Sequence, residues 1–211
     1  LMNEGGVLVD RTAQYAPEFI SSHTDARDVI VRDFDHDGWL DLVIANTFFQ
    51  QPNYFRNRGN DVNGDWLGFV EEGPSRFPFV APVNQPTGPQ FCALDAGDVN
   101  GDGHLDIYFS NYRPSGGTSD ALFINDGTGH FTDQTDARLG NYKNVAFGPA
   151  CEIRDMDGDG DMDIIKVSTL YNASPFNDWG TYILFNRRLQ HPPVPERLGQ
   201  LALHVRHRRR G

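Results

Sequence analysis

The stretch DFDHDGWLD at residues 33–41 recurs twice in altered form, as DVNGDGHLD at residues 98–106 and DMDGDGDMD at residues 155–163. Each copy reads D-x-[DN]-x-D-G-x-x-D. Side chains one, three and five converge when a short loop turns on itself, and glycine at position six allows the sharp bend. Without a cation, each pair of crowded carboxylates repels by roughly 1 kcal/mol even in water. The spacing therefore predicts about three Ca²⁺ sites.

The predicted ligands share their loop positions: one, three, five, seven and nine. They are Asp33, Asp35, Asp37, Trp39 and Asp41; Asp98, Asn100, Asp102, His104 and Asp106; and Asp155, Asp157, Asp159, Asp161 and Asp163. A solvated acidic turn without metal is the alternative, and it has more weight in the second loop, where Asn100 replaces an aspartate. The imidazoles of His36 and His104 are expected to point to solvent rather than to bind zinc.

The loops differ from EF-hands, which need an acidic residue at position twelve and helices on both sides. Position twelve is Ile44, Phe109 or Lys166, and the same test argues against a dockerin-type loop. Position nine is followed by LVIAN, IYFSN or IIKVS, which are β-branched and aromatic runs typical of strands. Short first strands are predicted before the loops, at residues 29–32, 91–96 and 151–154. Each loop is thus expected at the tip of a β-hairpin.

Further strand signals recur in phase with the loops. Third strands are predicted at residues 53–57, 121–125 and 181–186, and fourth strands within residues 68–72 and 126–135. Four antiparallel strands per repeat predict an all-β fold, a β-propeller of which about three blades are present. The segment NEGGVLVDRT at residues 3–12 is similar to NDGTGHFTDQT at residues 125–135. We therefore expect residues 1–22 to supply the last strand of a preceding blade.

The loops and the closing phrase NDGTGHFTDQT resemble FG-GAP/VCBS-type repeats, as in integrin-α-like propellers and many bacterial surface proteins. Phe147-Gly148 supplies an FG pair, and the D-x-T phrases at residues 10–12 and 133–135 are similar to the subset that carries an ASPIC/UnbV domain. The resemblance covers roughly residues 1–186. It implies a partial copy of a seven-bladed ring, with the rest of a larger propeller chain as partner. The insert at residues 61–68 and the presence of only three loops depart from the pattern.

The repeats predict a division of the chain into five segments. Residues 1–22 belong to a preceding blade, residues 23–86, 87–143 and 144–186 hold the three loop-bearing blades, the last incomplete, and residues 187–211 form a tail. The tail carries seven arginines and one acidic residue, whereas residues 1–186 hold 28 acidic and 11 basic residues. We interpret the tail as non-native or disordered, with a basic nucleic-acid or membrane arm as the alternative. The acidic remainder argues against nucleic acid as a partner.

No apolar run approaches the roughly 20 residues that cross a bilayer, and no signal peptide is visible. Multi-carboxylate loops are commonly matched to millimolar Ca²⁺, which predicts an extracellular, cell-surface or periplasmic location. Cys92 and Cys151 lie on predicted first strands of neighbouring blades. Buried free thiols are favoured there, and a disulfide stays open.

Loops between second and third strands are expected on the face opposite the Ca²⁺ loops. They concentrate aromatic and amide side chains that suit a glycan or a protein epitope. The predicted ligand face comprises Tyr112, Arg113, Tyr171, Phe176 and Trp179, whereas Phe48 and Phe49 are equally compatible with packing between blades. We find no nucleophile elbow, P-loop or zinc-protease motif, so a non-catalytic adhesion or recognition module is favoured. The alternatives are a propeller of a polysaccharide-processing enzyme and a structural spacer.

Overall fold

The computed structural model describes residues 1–22, 24–78, 89–111, 119–144, 148–167 and 181–186. Within these residues the strands form four antiparallel sheets. The small sheet pairs β1 (Met2–Glu4) with β2 (Val7–Val9). The larger sheets contain β3 (Ala26–Arg32), β4 (Asp41–Asn46), β5 (Asn53–Asn57) and β6 (Phe69–Glu71); β7 (Phe91–Gly97), β8 (Asp106–Asn111), β9 (Ala121–Asn125) and β10 (Phe131–Asp133); and β11 (Ala150–Arg154), β12 (Asp163–Val167) and β13 (Tyr182–Leu184).

Each larger sheet is an up-and-down meander of strands that are consecutive in the chain. We call them the first blade (β3–β6), the second blade (β7–β10) and the third blade (β11–β13). The first two have four strands, and three strands of the third are described. The predicted all-β, partial propeller-like fold is therefore confirmed, and the predicted first, second and third strands coincide with observed strands to within about three residues.

The beginning of the chain differs in detail from the expectation of one strand. Residues 1–9 form the hairpin of β1 and β2, which resembles the hairpin of β9 and β10 in the second blade. Short helices, which the sequence analysis did not predict, follow the closing strands. They are α1 (Thr12–Tyr15), α2 (Pro17–Ser21), α3 (Gly73–Arg76) and α4 (Thr135–Leu139), the last continued by a 3₁₀ helix at Gly140–Asn144.

A shared turn starts α1 and α4. The Asp10 carboxylate accepts a hydrogen bond from the Thr12 amide at 2.9 Å, and Asp133 accepts one from Thr135 at 2.9 Å. This is the self-bonding of an Asx-type turn, which diverts the chain out of the strand. The recurring D-x-T phrase therefore marks the end of a blade. The boundaries predicted for the five segments stay a prediction.

The blades stack through two apolar cores. The core between the first and second blades, here called the first interface, contains Ile30, Phe34, Val43, Ala45, Tyr54, Phe77, Phe91, Leu94, Ala96, Ile107, Phe109, Ala121, Phe123 and Phe131. The second interface, between the second and third blades, contains Ala93, Val99, Tyr108, Leu122, Ile124, Leu139, Cys151, Ile153, Ile164 and Leu184. Alternate residues of the second blade thus serve opposite interfaces, as the two-residue strand period requires.

The position of a blade in the stack decides how much of it is buried. Every residue of β8 is buried because the second blade is covered on both faces. Val29 and Val31 of the first blade are 50% and 40% exposed, although the equivalent Leu94 and Ala96 are buried at the first interface. Among the described residues, Phe19 of α2 covers only the outer part of this outward face, where its ring packs against Phe55 and Phe69.

Cys92 and Cys151 are both free thiols, so the structure favours the unpaired alternative. They lie on the neighbouring first strands β7 and β11, as the sequence predicts. None of the helices described is both long and apolar enough to serve as a membrane span.

Candidate metal centre

The three acidic loops lie at the same end of the stacked blades, each between the first two strands of its sheet. The hairpins close on the pairs Arg32 with Asp41, Gly97 with Asp106, and Arg154 with Asp163. The ninth residue of each loop is therefore the first residue of a second strand. The sequence correctly predicted loops at hairpin tips, because the apolar β-branched run begins directly after the ninth position.

The loops share their internal hydrogen bonds. The first-position carboxylate accepts the amide of the glycine at position six: Asp33 from Gly38 at 3.1 Å, Asp98 from Gly103 at 2.9 Å, and Asp155 from Gly160 at 3.0 Å. The fifth-position carboxylate accepts the amide of position seven in the same way, at 2.8 to 2.9 Å. In the second and third loops the other oxygen of the first aspartate is bonded to the backbone as well: Asp98 Oδ1 accepts the amides of Gly101 and Asp102, and Asp155 Oδ1 accepts that of Gly158.

Glycine at position six adopts nearly the same conformation in all three loops. Its φ is 89° at Gly38, 90° at Gly103 and 91° at Gly160. This region is available to glycine at little cost and strained for other residues. Position four is also left-handed, and there His36 adopts a φ of 59° although it is not glycine. The sequence requirement for glycine at position six thus has a direct conformational cause.

Carboxylate oxygens converge in the first and third loops. One oxygen each from Asp33, Asp35 and Asp37 lie within 4.8 Å of one another, and the same holds for Asp155, Asp157 and Asp159. The second loop has only two carboxylates at these positions, and the Asn100 amide donates to Asp102 at 2.7 Å. Oxygen-only clusters of this kind could hold a hard divalent cation, and the seventh residue could add its backbone carbonyl.

The ninth-position aspartates are fully buried and tie each loop to the third strand of its blade. One carboxylate oxygen accepts the backbone amide of the last asparagine of that strand or just beyond it: Asp41 from Asn57, Asp106 from Asn125, and Asp163 from Asn186, at 2.8 to 2.9 Å. Their partners are buried as well. The ninth carboxylate therefore anchors the loop, and its predicted role as a ligand stays a prediction.

Burial disfavours the ionised form of these anchors. Desolvation raises the pKa of Asp41 to about 6 and that of Asp106 to about 7, although hydrogen bonds from backbone amides oppose the shift. Burial likewise raises the pKa of Asp163 above its usual value. A cation beside such a group favours its ionised form.

The sequence analysis missed the asparagines that end the third strands. The amide of Asn125 donates to the carbonyl of Phe34 in the first loop at 2.9 Å, and Asn186 donates to Val99 in the second loop at 2.8 Å. The first and second loops are thus each held by the blade that follows. Their signal was the asparagine that recurs after FR, FI and LF at residues 57, 125 and 186.

The expectation for His36 and His104 needs a correction. His36 is exposed, but its Nε2 lies 3.0 Å from His104 Nδ1, so the two imidazoles join the first loop to the second. The pairing arises because the loops of adjacent blades lie side by side, which single-loop reasoning cannot detect. The sequence analysis also missed Tyr54, whose hydroxyl donates to Asp41 at 2.5 Å. In the second and third loops, the same oxygen of Asp106 or Asp163 accepts a backbone amide from its own loop.

The structure does not describe the residues of the predicted ligand face. Tyr112, Arg113, Tyr171, Phe176 and Trp179 all lie outside the described residues. Phe48 and Phe49 are described: they are 59% and 45% exposed, and both adopt positive φ values, of 52° and 68°. The alternative that they pack between blades does not apply in this structure.

Residues 33–109 match the model of the family described as FG-GAP-like repeat. This part of the chain is similar to FG-GAP-like repeats. The match runs from the first aspartate of the first loop to Phe109 in β8, so it includes two of the three acidic loops. The third loop lies beyond the match but repeats the same glycine conformation and hydrogen bonds. The FG-GAP resemblance predicted from the sequence is confirmed, whereas the ASPIC/UnbV association stays a prediction. Comparison with curated proteins gave no significant match.

Proposed function

We propose that this FG-GAP repeat chain is a calcium-stabilised propeller module that recognises a ligand at a cell surface and is not an enzyme. One observation carries the calcium assignment: Asp33 Oδ1 is buried and has no hydrogen-bond partner. Leaving a buried polar atom unpaired costs about 1–3 kcal/mol, and more for a charged group. A cation between Asp33, Asp35 and Asp37 would remove that cost.

Calcium fits the donor set better than other common metals. The loops offer aspartate carboxylates, one asparagine amide and backbone carbonyls, which are the hard oxygen donors that Ca²⁺ prefers. Cysteine thiolates, typical of structural zinc, are absent from the loop sequences. The bound ion would neutralise the crowded carboxylates, and the chain's own amides and glycine turns hold those carboxylates in place.

The test of calcium binding uses a pentapeptide that occurs twice. DVNGD at residues 98–102 is followed by glycine and a ninth-position aspartate, whereas DVNGD at residues 61–65 is followed by Trp66 and has Phe69 at position nine. Asp61 still accepts the amides of Asn63 and Asp65, so its local turn is similar. Asp98→Asn therefore alters a complete loop, whereas Asp61→Asn alters a similar turn that lacks the glycine at position six and the aspartate at position nine.

Calorimetric titration of the full chain with Ca²⁺ should give close to three sites. We expect Asp98→Asn to remove one site, Asp155→Asn to remove another, and Asp61→Asn to remove none. At hundredfold excess over Kd, each site adds about 2.7 kcal/mol to the free energy of unfolding, so a chelator should lower Tm markedly. An unchanged Tm with chelator, together with a flat titration, would overturn the calcium assignment.

The recognition part of the proposal is supported by Phe48 and Phe49. Two consecutive large apolar residues hold a strained left-handed backbone and remain exposed, on the face opposite the loops. Strain of this kind, about 1–3 kcal/mol per residue, often marks a functional surface. Exposed aromatic rings beside Gln50 and Gln51 suit the apolar faces and hydroxyls of a sugar or a protein epitope. Aspartate-rich loops matched to millimolar calcium favour an extracellular, cell-surface or periplasmic setting.

Glycan-array and surface-protein binding assays test this face in the presence of Ca²⁺. We expect binding to be lost in Phe48→Ser, Tyr112→Ala and Trp179→Ala. The matched control is Val62→Ser, which removes a fully exposed apolar side chain near the loop end of the first blade. Loss of binding in Val62→Ser alone would place recognition on the other face. Turnover of an acidic polysaccharide by the pure chain would contradict the non-catalytic role.

A further inference from the structure

Arg76 is a buried cation placed against the first loop. It is 8% exposed, and its Nη2 lies 3.4 Å from Asp35 Oδ2 and 2.8 Å from Glu72 Oε2. Its guanidinium also stacks over the Tyr54 ring, 5.1 Å from the centroid, and the Tyr54 hydroxyl donates to Asp41. Two of the four carboxylates of the first loop are therefore contacted by this stacked pair.

The same guanidinium reaches the second blade. Arg76 Nη1 donates to the Thr128 carbonyl at 2.5 Å, in the turn between β9 and β10. The neighbouring Gly129 leaves room for this contact, since a Cβ there would lie 2.8 Å from Nη1 and 3.0 Å from the Tyr54 hydroxyl. Arg76 thus joins the first loop to the first interface through one rigid planar group.

The corresponding carboxylates of the other loops differ in the described part of the chain. No ion pair there involves Asp98, Asp102, Asp155, Asp157 or Asp159. Arg138 occupies the position of Arg76 in the second blade, three residues into α4, but its Nε donates to Gln134 at 2.6 Å. The third loop also has five aspartates, against four in the first. Arg76 is therefore an internal counter-ion of the first loop.

We propose that Arg76 is a built-in cation of the first loop, which keeps the first interface closed when calcium is absent and weakens calcium binding there. This inference rests on the proposed calcium binding. The guanidinium offsets part of the carboxylate repulsion, which stabilises the empty loop. It also repels an arriving Ca²⁺, whose affinity in such loops depends on the net charge of the ligands.

Calcium titration of the full chain can separate the effect of the Arg76 charge from the effect of its packing. Asp33→Asn identifies the binding step that belongs to the first loop. We expect Arg76→Gln to tighten that step about tenfold, because a repelling charge close to the ion is removed. Arg76→Lys keeps the charge and should leave the step weak, and Arg138→Gln should change no step. General structural damage would weaken binding, so a tightened step in Arg76→Gln is specific to the proposal.

Thermal unfolding supplies a readout that does not need bound metal. Arg76→Gln should lower Tm more in chelator than in excess Ca²⁺, whereas Arg138→Gln should lower both equally. An unchanged or weaker first-loop step in Arg76→Gln, with three sites in the wild type, overturns the role of Arg76 and leaves the calcium proposal intact. A wild-type chain that binds no calcium overturns both.

Discussion

The first interface is packed with aromatic rings, whereas the second is largely aliphatic and encloses an ion pair. Phe77 alone contacts the rings of Tyr54, Phe109, Phe123 and Phe131, at centroid distances of 5.1 to 6.0 Å. At the second interface, Lys166 Nζ lies 2.7 and 2.8 Å from the two carboxylate oxygens of Asp120, and both side chains are 1% exposed. One repeat can therefore build its contacts from quite different side chains.

The two interfaces also differ in where their buried cation lies. Arg76 lies at the loop end of the first interface, whereas Lys166 is the penultimate residue of β12, three residues past Asp163. At about 3.3 Å per residue, Lys166 is roughly 10 Å along the strand from the end of its loop. It occupies loop position twelve, where the second blade has Phe109. The buried cation of the closing helix therefore contacts a loop carboxylate, whereas the buried cation of the strand contacts Asp120 outside the loops.

The largest effect is expected at the second interface. Lys166→Met leaves Asp120 buried without its cation, although Tyr108 and the Asn111 amide still donate to it. Removal of one partner of a buried pair costs about 3–5 kcal/mol, because the other charge stays uncompensated. Burial already raises the pKa of Asp120, in spite of the opposing Lys166 charge. Denaturant unfolding of the variant should show this loss at constant m-value.

The double variant Lys166→Met with Asp120→Asn supplies the control. Because it removes both charges, we expect it to recover more than half of the loss. Calcium stoichiometry should stay at three in both variants, since neither residue contacts a loop in the structure. Equal stability of the single variant and the wild type would show that the ion pair does not hold the second interface.

A medium effect is expected from Gly129→Ala at the first interface. Gly129 has a φ of 74°, and a Cβ there would collide with Arg76 and Tyr54. Gly64→Ala is the matched control, because its φ is 88° and no atom lies within 4 Å of its Cβ position. Left-handed strain costs both variants about 1 kcal/mol, and overpacking should add about 1–3 kcal/mol at Gly129 alone. Equal losses in the two variants would mean that the Arg76 contact has room to move.

The loops could be predicted because their physics is local. Four aspartate positions and a glycine within nine residues specify both the turn and the charge, and the apolar run after position nine specifies the strand. The order of the four strands in a blade could be predicted because each strand pairs with the next strand along the chain. The structure therefore agrees with these predictions in all three repeats at the level of strands and loops.

Contacts between blades could not be predicted in the same way. Arg76 meets Thr128 across 52 residues, and His36 meets His104 across 68. No periodicity links such pairs, because their proximity depends on how one sheet stacks on the next. From the sequence, Lys166 is only a residue at loop position twelve that is not acidic. Its burial against Asp120 depends on the neighbouring blade. Loop-level predictions are thus more secure than interface-level predictions.

The smallest effect is expected from Cys92→Ser at the second interface. The Cys92 thiol donates to the Gly148 carbonyl at 2.8 Å, and a serine hydroxyl can make the same bond, so the cost should be about 0.5–1 kcal/mol. Burial raises the pKa of the Cys92 thiol to about 12, so at pH 8 only about one thiol in 10⁴ is ionised. Thiol labelling of the folded wild type should therefore be slow.

Labelling then reports chiefly on the opening of the second interface, because Cys151 belongs to its core and Cys92 is bonded to Gly148 of the chain segment before β11. In Lys166→Met the third blade should open more often, and the labelling rate should rise at least tenfold, while Gly129→Ala should leave it nearly unchanged. A rate that rises equally in both variants would mean that the two interfaces open together. In that case the blades would form a single cooperative unit, and the distinct chemistry of the interfaces would have no separate consequence for stability.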